Sequence, residues 1–303
     1  KRALVYDRLR PYDENWREVA EMLIREADLA GRRVIDIGCG TGRFLAQLAP
    51  LAKAWGVDAS PEMLDVARTR AGVAGLKLGT AEQLPFKDGW FERAAMWLVA
   101  HLVDRPAAFA EARRVLAADG RFAVATFDPS YFDAFWLNEL FPSMEAADRE
   151  RFPTGAELDE TFREAGFEPR LLRLSQRGSL ARGVALERIR GKHISTFDLI
   201  TDDEYEAGLA RAERELPEEV DYAVEPHDVE SGVFLHADGK HRGIVLRLRE
   251  IRFGDAPQFA RAHARWESSG ELLPVDEPLG LRHAAHDRGR KQFRHTTALR
   301  HAS

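Results

Sequence analysis

The chain has 303 residues, of which 45% are hydrophobic and 31% are charged. This composition is ordinary for a globular protein with a substantial buried core, and the length allows one large domain or two smaller ones. No run approaches the ~18 apolar residues of a membrane-spanning helix, and the first residues lack the apolar core of a secretory signal. A single cysteine, Cys39, excludes an internal disulfide and a multi-cysteine metal site. We therefore expect a cytoplasmic protein that needs neither a membrane nor a metal.

The charge is unevenly distributed along the chain. From Gly239 to Ser303 there are thirteen Lys and Arg against seven Asp and Glu, and six of the ten histidines also lie there. The first 238 residues consequently carry a net charge of −12 within the total of −6. Because phosphate contacts dominate the affinity of proteins for DNA, an acidic body argues against nucleic acid as a partner. The sequence does not indicate which oligomeric state the protein adopts.

Strands and helices alternate through the first half of the chain. Apolar residues recur at helical spacing over residues 14–29, 42–51, 61–70 and 106–116. Short apolar runs are typical of buried strands and lie at residues 34–37, 54–58, 76–79, 93–102 and 121–127. Ser60 followed by Pro61 is a typical start of a helix. The alternation predicts an α/β fold, with a Rossmann-like, mostly parallel seven-stranded sheet flanked by helices.

The alternation breaks after Phe127. An aromatic-rich, helical stretch and a second helical interruption are expected to form cap insertions at about 128–152 and 182–216. Further strands are expected at 168–178 and at about 220–224, which would complete a domain over residues 1–238. The basic, His-rich extension 239–303 lies outside this pattern, and a partly disordered or loosely packed tail is the default expectation for it.

The stretch RRVIDIGCGTGRFLAQL contains three alternate glycines, Gly38, Gly40 and Gly42, between an apolar run and an amphipathic segment. A strand, a tight turn and a helix in this order commonly hold a nucleotide. The dinucleotide fingerprint needs a small residue where Arg43 stands, and the phosphate-loop pattern is also missing. Asp36, just before the glycines, would repel a pyrophosphate but suits an ammonium or sulfonium group.

Taken together, these residues resemble the class I S-adenosylmethionine (SAM)-dependent methyltransferases, and within them the small-molecule branch often called type 11. The resemblance is strongest over residues 34–127 and extends over about 6–224. It implies SAM as the cofactor and transfer of a methyl group to a small-molecule acceptor. Two alternatives stay open. One is a non-catalytic SAM-binding regulatory module, and the other is a methyltransferase for a protein or nucleic acid that docks through the basic tail.

The resemblance also implies a set of cofactor contacts. Asp58 lies 22 residues after Asp36, where the family places the acid that binds both ribose hydroxyls. Thr80 stands where the family has an Asp on the adenine amino group, so Glu82 is the candidate for that contact. The cofactor-binding residues implied in this way are Asp36, Gly38, Cys39, Gly40, Gly42, Asp58, Ala59, Met63, Ala81, Glu82 and Met96. For Cys39, a small side chain in a tight place is the favoured reading over a reactive thiol.

The catalytic and acceptor-binding candidates follow the fourth strand or belong to the expected cap and the N-terminal arm. A sulfonium methyl is already a strong electrophile, so a base is needed only when the acceptor carries a proton that must leave. His101 is the candidate for this base, and a structural histidine bonded to backbone is its alternative. The candidates for the acceptor pocket are Tyr12, Trp97, Tyr131 and Trp136, each with core or cap packing as the alternative. The arm YDRLRPY is expected either to fold over the cofactor or to lie on the surface.

Overall fold

The computed structural model describes residues 2–10, 12–70, 72–175, 177–223 and 242–249. Its helices are α1 Arg2–Leu9, α2 Glu14–Glu26, α3 Arg43–Leu48, α4 Pro61–Ala67, α5 Arg105–Val115, α6 Ser143–Arg151, α7 Gly155–Glu164, α8 Arg182–Arg190 and α9 Asp202–Glu215. Its strands are β1 Arg33–Ile37, β2 Lys53–Asp58, β3 Gly75–Leu78, β4 Phe91–Trp97, β5 Leu116–Thr126, β6 Glu168–Ser175, β7 Arg177–Ala181, β8 Glu219–Ala223 and β9 Arg242–Arg249. Short 3₁₀ helices cover Pro129–Ala134 and Ser195–Asp198.

The main sheet has the strand order β3-β2-β1-β4-β5-β9-β6, and the paired neighbours run parallel. Five strands from the first half of the chain form one continuous block of it, and β9 and β6 follow on the β5 side. Helices flank this sheet, so the expected α/β architecture with a mostly parallel sheet is confirmed. The carboxyl ends of parallel strands share one edge, and in such folds that edge carries the ligand site.

Both faces of the sheet are buried, because neighbouring residues of one strand point to opposite sides. Ile35 and Ile37 lie in a core with Phe109 of α5 and Phe162 of α7. Val34, by contrast, lies in the opposite core with residues of α2 and α3. Asp36 alternates with Ile35 and Ile37, and it therefore shares the α2 and α3 side with Val34.

Local capping explains why several helices start where they do. Asp13 accepts a hydrogen bond from the N–H of Trp16 (2.9 Å) at the start of α2. Ser60 accepts one from the N–H of Met63 (3.2 Å), with Pro61 in the first helical position, as the sequence predicts. Thr154 and Glu157 form a capping box at α7. These short-range bonds fix the ends of the elements that surround the site.

The cap is a separate cluster built by the expected helical insertions. Leu137 and Phe141 pack with Ile189 of α8 and Tyr205 of α9. The strand expected near 220–224 is present as β8, but it pairs antiparallel with β7 in a two-stranded sheet of its own and does not complete the main sheet. Val220 and Leu180 on these two strands face the cap cluster, which removes them from the main sheet. For the same reason the single strand expected at 168–178 is divided between two sheets.

The strand that the main sheet uses in place of residues 220–224 is β9, between β5 and β6. It begins at Arg242, beyond the boundary expected at residue 238, and the compact unit that contains the sheet runs from Lys1 to Arg252. A disordered or loosely packed tail was expected for residues 239–303. Apart from β9, these residues lie outside the described part of the chain. None of the described helices combines the length and the apolar character needed to cross a membrane.

Candidate cofactor-binding site

The glycine turn after β1 depends on backbone conformations that favour glycine. Gly38, Gly40 and Gly42 have φ values of 74°, 53° and 75°, in the left-handed region. The N–H groups of Gly38 and Cys39 both donate to the carbonyl of Val57 at the end of β2 (2.8 and 3.0 Å). The turn is thus fixed against the carboxyl end of the neighbouring strand.

Space is also limiting at Gly38. A Cβ atom there would lie 2.9 Å from Cγ1 of Val99 and closer still to Cγ2. The chain reaches this position because Leu98, directly after β4, takes a left-handed conformation with φ 55°. The segment after β4 therefore packs directly on the glycine turn, and Leu98 is a contributor that no sequence pattern indicated.

We expect Gly38→Ala to destabilise the protein by about 1–3 kcal/mol more than Gly89→Ala, because only the first substitution forces a methyl group into a packed side chain. Gly89 also has a positive φ (64°), but nothing lies within 4 Å of the Cβ that it would gain. Denaturant unfolding of the two variants measures the difference. Equal losses of stability in the two variants would show that backbone strain, and not the contact with Val99, causes the destabilisation.

Asp58 ends β2 with both carboxylate oxygens engaged by backbone. Oδ2 accepts the N–H of Gly40 (2.7 Å) and Oδ1 accepts the N–H of Ser60 (2.9 Å). Each carboxylate oxygen has a second lone pair, so two further donors can be accepted in a fixed orientation. This is the arrangement that adjacent hydroxyls on a ribose require.

Asp36 is 2% exposed and lies one residue before the end of β1. No hydrogen bond from another described residue reaches its carboxylate. Burial, and then the charge of Asp58, raise the pKa of Asp36 to about 8. A buried carboxyl group beside a second acid is a site for a cation, since a bound positive charge would restore the ionised form. The residues present therefore fit a cofactor that carries an ammonium and a sulfonium group.

The other predicted cofactor contacts are distributed around the same edge of the sheet. Met96 is fully buried in β4, Met63 is half-buried in the first turn of α4, and Ala59 is exposed between β2 and α4. Cys39 is buried, and burial raises the pKa of its thiol, which is consistent with a packing role. It lies where a Cβ on Gly56 of β2 would be only 2.6 Å from its sulfur.

The loop after β3 is held mainly by structural contacts. Ala81 is buried, and Glu82 accepts the N–H of Asp104 through Oε1 (3.0 Å), which ties this loop to the start of α5. Arg114 of α5 donates to the carbonyls of Leu84 (3.0 Å) and Phe86 (2.9 Å). Glu82 therefore ties the loop after β3 to α5 through one of its two carboxylate oxygens.

The N-terminal helix α1 is clamped onto the glycine turn. Asp7 accepts a hydrogen bond from the Thr41 hydroxyl (2.7 Å) and pairs with Arg70. Arg70 also donates to the carbonyl of Thr41 (2.6 Å). The other side of the same arm contacts the cap, through Arg8 with Glu187 (2.6 Å). The arm therefore joins the cofactor turn to the cap, and Asp7 and Arg70, 63 residues apart, were not identified from sequence.

The structure divides the four acceptor-pocket candidates into two groups. Trp97 stacks on Trp16 (5.1 Å between centroids), and Tyr12 meets Trp16 edge-on (4.7 Å). Tyr131 and Trp136 lie away from these rings, at the cap. Tyr131 stacks on Phe127 (4.3 Å), whereas Trp136 packs against the cap cluster.

His101 lies beneath the cap, stacked on Phe152 at 3.9 Å and nearly parallel to it. Burial, then the charges of Arg151 and Arg10, lower the pKa of His101 to about 3. The imidazole is therefore neutral near pH 7. Its Nδ1 is buried and has no hydrogen-bond partner in the described part of the chain, so the bond to backbone that would make it a structural histidine is missing at this nitrogen.

Comparison with known proteins matches this chain to methyltransferases. The family profile described as "Methyltransferase domain" matches residues 35–124. The demethylmenaquinone methyltransferase of Symbiobacterium thermophilum is 29% identical over 197 residues, which cover 53% of this chain and 78% of that protein. The O-methyltransferase rstn1 of Aspergillus nomiae is 30% identical over 166 residues, which cover 50% of this chain and 70% of that protein.

The fold of this chain is also similar to that of a solved methyltransferase structure. A putative methyltransferase from an antibiotic biosynthesis pathway of Anabaena variabilis superposes with a TM-score of 0.55. The match covers 68% of this chain and 93% of the other, at 21% sequence identity. At this level of identity the likeness concerns the fold.

Proposed function

Because this chain belongs to the class I SAM-dependent methyltransferases, we propose that it transfers the methyl group of SAM to a small-molecule acceptor bound between the glycine turn and the cap. Two of its relatives are named as a demethylmenaquinone methyltransferase and an O-methyltransferase, and both names support an acceptor of this class. A cytoplasmic location is part of the proposal, supported by a single, buried thiol at Cys39.

The observation that carries the proposed cofactor site is the fixed carboxylate of Asp58. Its oxygens are oriented by Gly40 and Ser60 at 2.7 and 2.9 Å, next to a turn in which three glycines keep side chains out of the way. We propose that Asp58 accepts the two ribose hydroxyls, and that Asp36 faces the positively charged methionine end. Met96, Met63 and Ala81 then surround the remainder of the cofactor.

The bound cofactor supplies a methyl group on a sulfonium, which needs an aligned nucleophile and the exclusion of water. The arm α1 contributes to that exclusion by linking the glycine turn, through Asp7 and Thr41, to the cap, through Arg8 and Glu187. On the acceptor side lies His101, whose neutral imidazole has a nitrogen without a protein partner. We propose that His101 takes the proton of an acceptor that carries one.

We expect Asp58→Ala to weaken binding of SAM and of S-adenosylhomocysteine by about 10- to 100-fold, because hydrogen bonds to a charged group contribute about 1.5–3 kcal/mol. Isothermal calorimetry measures both affinities. Asp65→Ala is the matched control, since Asp65 is an exposed acid of the neighbouring helix α4 and pairs with Arg68. Wild-type affinity in Asp58→Ala, or failure of the wild-type protein to bind either nucleoside, would contradict the proposed cofactor site.

Methyl transfer itself is tested with radiolabelled SAM and fractionated small-molecule extracts. The proposal expects label in a small organic product, formed only when the wild-type protein is present. Binding of SAM without transfer to any fraction would favour the non-catalytic alternative. Label in macromolecular fractions alone would favour the protein or nucleic-acid alternative.

A further inference from the structure

Three arginines from distant parts of the chain lie near two half-buried histidines, His101 and His193. Arg10 follows α1, Arg151 ends α6, and Arg188 lies in the last turn of α8. The charges of Arg151 and Arg10, after burial, hold the pKa of His101 at about 3. Burial, Arg10 and Arg188 likewise hold the pKa of His193 at about 3. The guanidinium groups are therefore close enough to the two imidazoles to oppose their protonation.

The positive charge in this cluster is only partly balanced by the protein. Arg10 donates to two neutral oxygens, the carbonyl of His193 (2.9 Å) and the hydroxyl of Tyr6 (2.8 Å), and it has no carboxylate partner within the described ranges. Arg151 pairs with Asp148 through Nη2 (2.5 Å). That carboxylate is shared with the hydroxyl of Thr196 (2.8 Å).

Two buried nitrogen atoms in the cluster also lack a hydrogen-bond partner among the described residues. They are Nε of Arg151 and Nδ1 of His101. Buried polar atoms are nearly always bonded in folded proteins, and an unpaired one costs about 1–3 kcal/mol. An anion that is not part of the protein would satisfy Nε of Arg151 and offset the charge of Arg10. A proton-bearing group on the same molecule would satisfy Nδ1 of His101, which must accept a hydrogen bond in order to act as the base.

The position of the cluster connects it to the proposed methyl-transfer site. His101 is two residues beyond Val99, whose side chain covers Gly38 of the glycine turn. Apolar rings adjoin it, because Phe152 stacks on His101 and lies 6.1 Å from Phe127, which in turn stacks on Tyr131. A molecule bound here would meet cations at one end and aromatic rings along its body.

We propose that the methyl acceptor carries a negatively charged group, a carboxylate or a phosphate, and that Arg10 and Arg151, supported by Arg188, bind it beside His101. This inference rests on the proposed function for the identity of the ligand as the acceptor, but the anion site itself stands on the cluster. Planar guanidinium groups match both kinds of anion. The aromatic rings then favour an acceptor with an apolar or aromatic body.

The test is calorimetric and uses the full chain with three probes of one shape: 1-naphthoate, 1-naphthyl phosphate and the neutral 1-naphthamide. Each is titrated with and without saturating S-adenosylhomocysteine. We expect at least one anion to bind about 10-fold more tightly than the amide, as one charge-assisted bond would provide. The better of the two anions identifies the charged group. Equal affinity for all three probes, or no binding of either anion, would overturn the proposal.

Variants at Arg10 separate charge from structure. Arg10→Gln should remove the preference for the anion, while Arg10→Lys, which also loses the planar guanidinium but keeps the charge, should retain most of it. Arg25→Gln is the control, because Arg25 is an exposed arginine of α2 that pairs with its neighbour Glu26 (2.8 Å) and has no part in the cluster. Persistence of the preference in Arg10→Gln, or its equal loss in Arg10→Lys, would contradict a charge-recognition role.

Failure of the proposed function gives a different pattern. If the protein does not bind S-adenosylhomocysteine but still binds the anions more tightly than the amide, the anion site is supported and the proposed methyl transfer at that site is contradicted. If the protein binds S-adenosylhomocysteine but shows no preference for the anions, the cofactor site is supported and the anion site is contradicted.

Discussion

His101→Ala is expected to lower kcat by about 100-fold or more, within the range that general base catalysis contributes, and to leave SAM affinity unchanged. The imidazole is stacked on Phe152, and its buried Nδ1 has no partner among the described residues. Because its pKa in the free protein is about 3, the imidazole is neutral at every pH above about 4, and one ring nitrogen carries a lone pair that can accept a hydrogen bond from the acceptor.

His101→Gln distinguishes proton transfer from positioning, because glutamine keeps hydrogen-bonding atoms but does not act as a base at neutral pH. We expect kcat of this variant to fall as far as that of His101→Ala. The pH profile of kcat/KM should also show no inflection from His101 near pH 6.5, since the free-enzyme pKa lies far lower. Wild-type kcat in His101→Gln would contradict the base role and leave a positioning role.

SAM is expected to bind about 50-fold more tightly at pH 8 than at pH 6, because its positive charges favour the ionised form of Asp36. In the free protein, burial and Asp58 raise the pKa of Asp36 to about 8, so at pH 6 a bound cation must first displace a proton. The expected size assumes a pKa near the ordinary carboxyl value in the complex. Calorimetry in buffers of different ionisation enthalpy measures both the affinity and the released proton.

Asp36→Asn is the control for this dependence. The variant cannot release the proton, so its affinity should change between pH 6 and pH 8 only through titration of the cofactor itself. A slope as steep as that of the wild-type protein would assign the effect to another group.

The same raised pKa has a consequence for the stability of the free protein. In the unfolded chain Asp36 ionises near 3.8, whereas in the folded protein it keeps its proton up to about pH 8. The folded state therefore loses stability relative to the unfolded state as pH rises through this window, and the loss is complete above it. Melting temperatures of the wild-type protein should fall more steeply than those of Asp36→Asn between pH 5 and pH 8.

Features that depend on short-range patterns could be predicted from the sequence. The strand, the alternate glycines and the Ser60–Pro61 helix start are local signals, because each is required by backbone geometry within a few residues. They were sufficient to predict the α/β fold, whereas the type of cofactor and the role of Asp58 were implied by the resemblance to a known family.

Features that depend on distant pairing could not be predicted in this way. Residues 219–223 and 242–249 both form strands, and only their tertiary pairing shows that the second joins the main sheet while the first, with Val220 in the cap cluster, pairs with β7. The pairing of Asp7 with Arg70, and the approach of Arg10, Arg151 and Arg188 to His101 and His193, likewise depend on how the arm and the cap fold against the sheet. No local propensity records such contacts.

The central claim is that the glycine turn and Asp58 hold SAM, and a crystal structure of the protein with S-adenosylhomocysteine tests it most directly. We predict that both ribose hydroxyls lie within hydrogen-bond distance of the Asp58 carboxylate, with the methionine end beside Asp36 and the backbone of Met96. A nucleoside bound elsewhere, or a ribose that does not contact Asp58, would contradict the account.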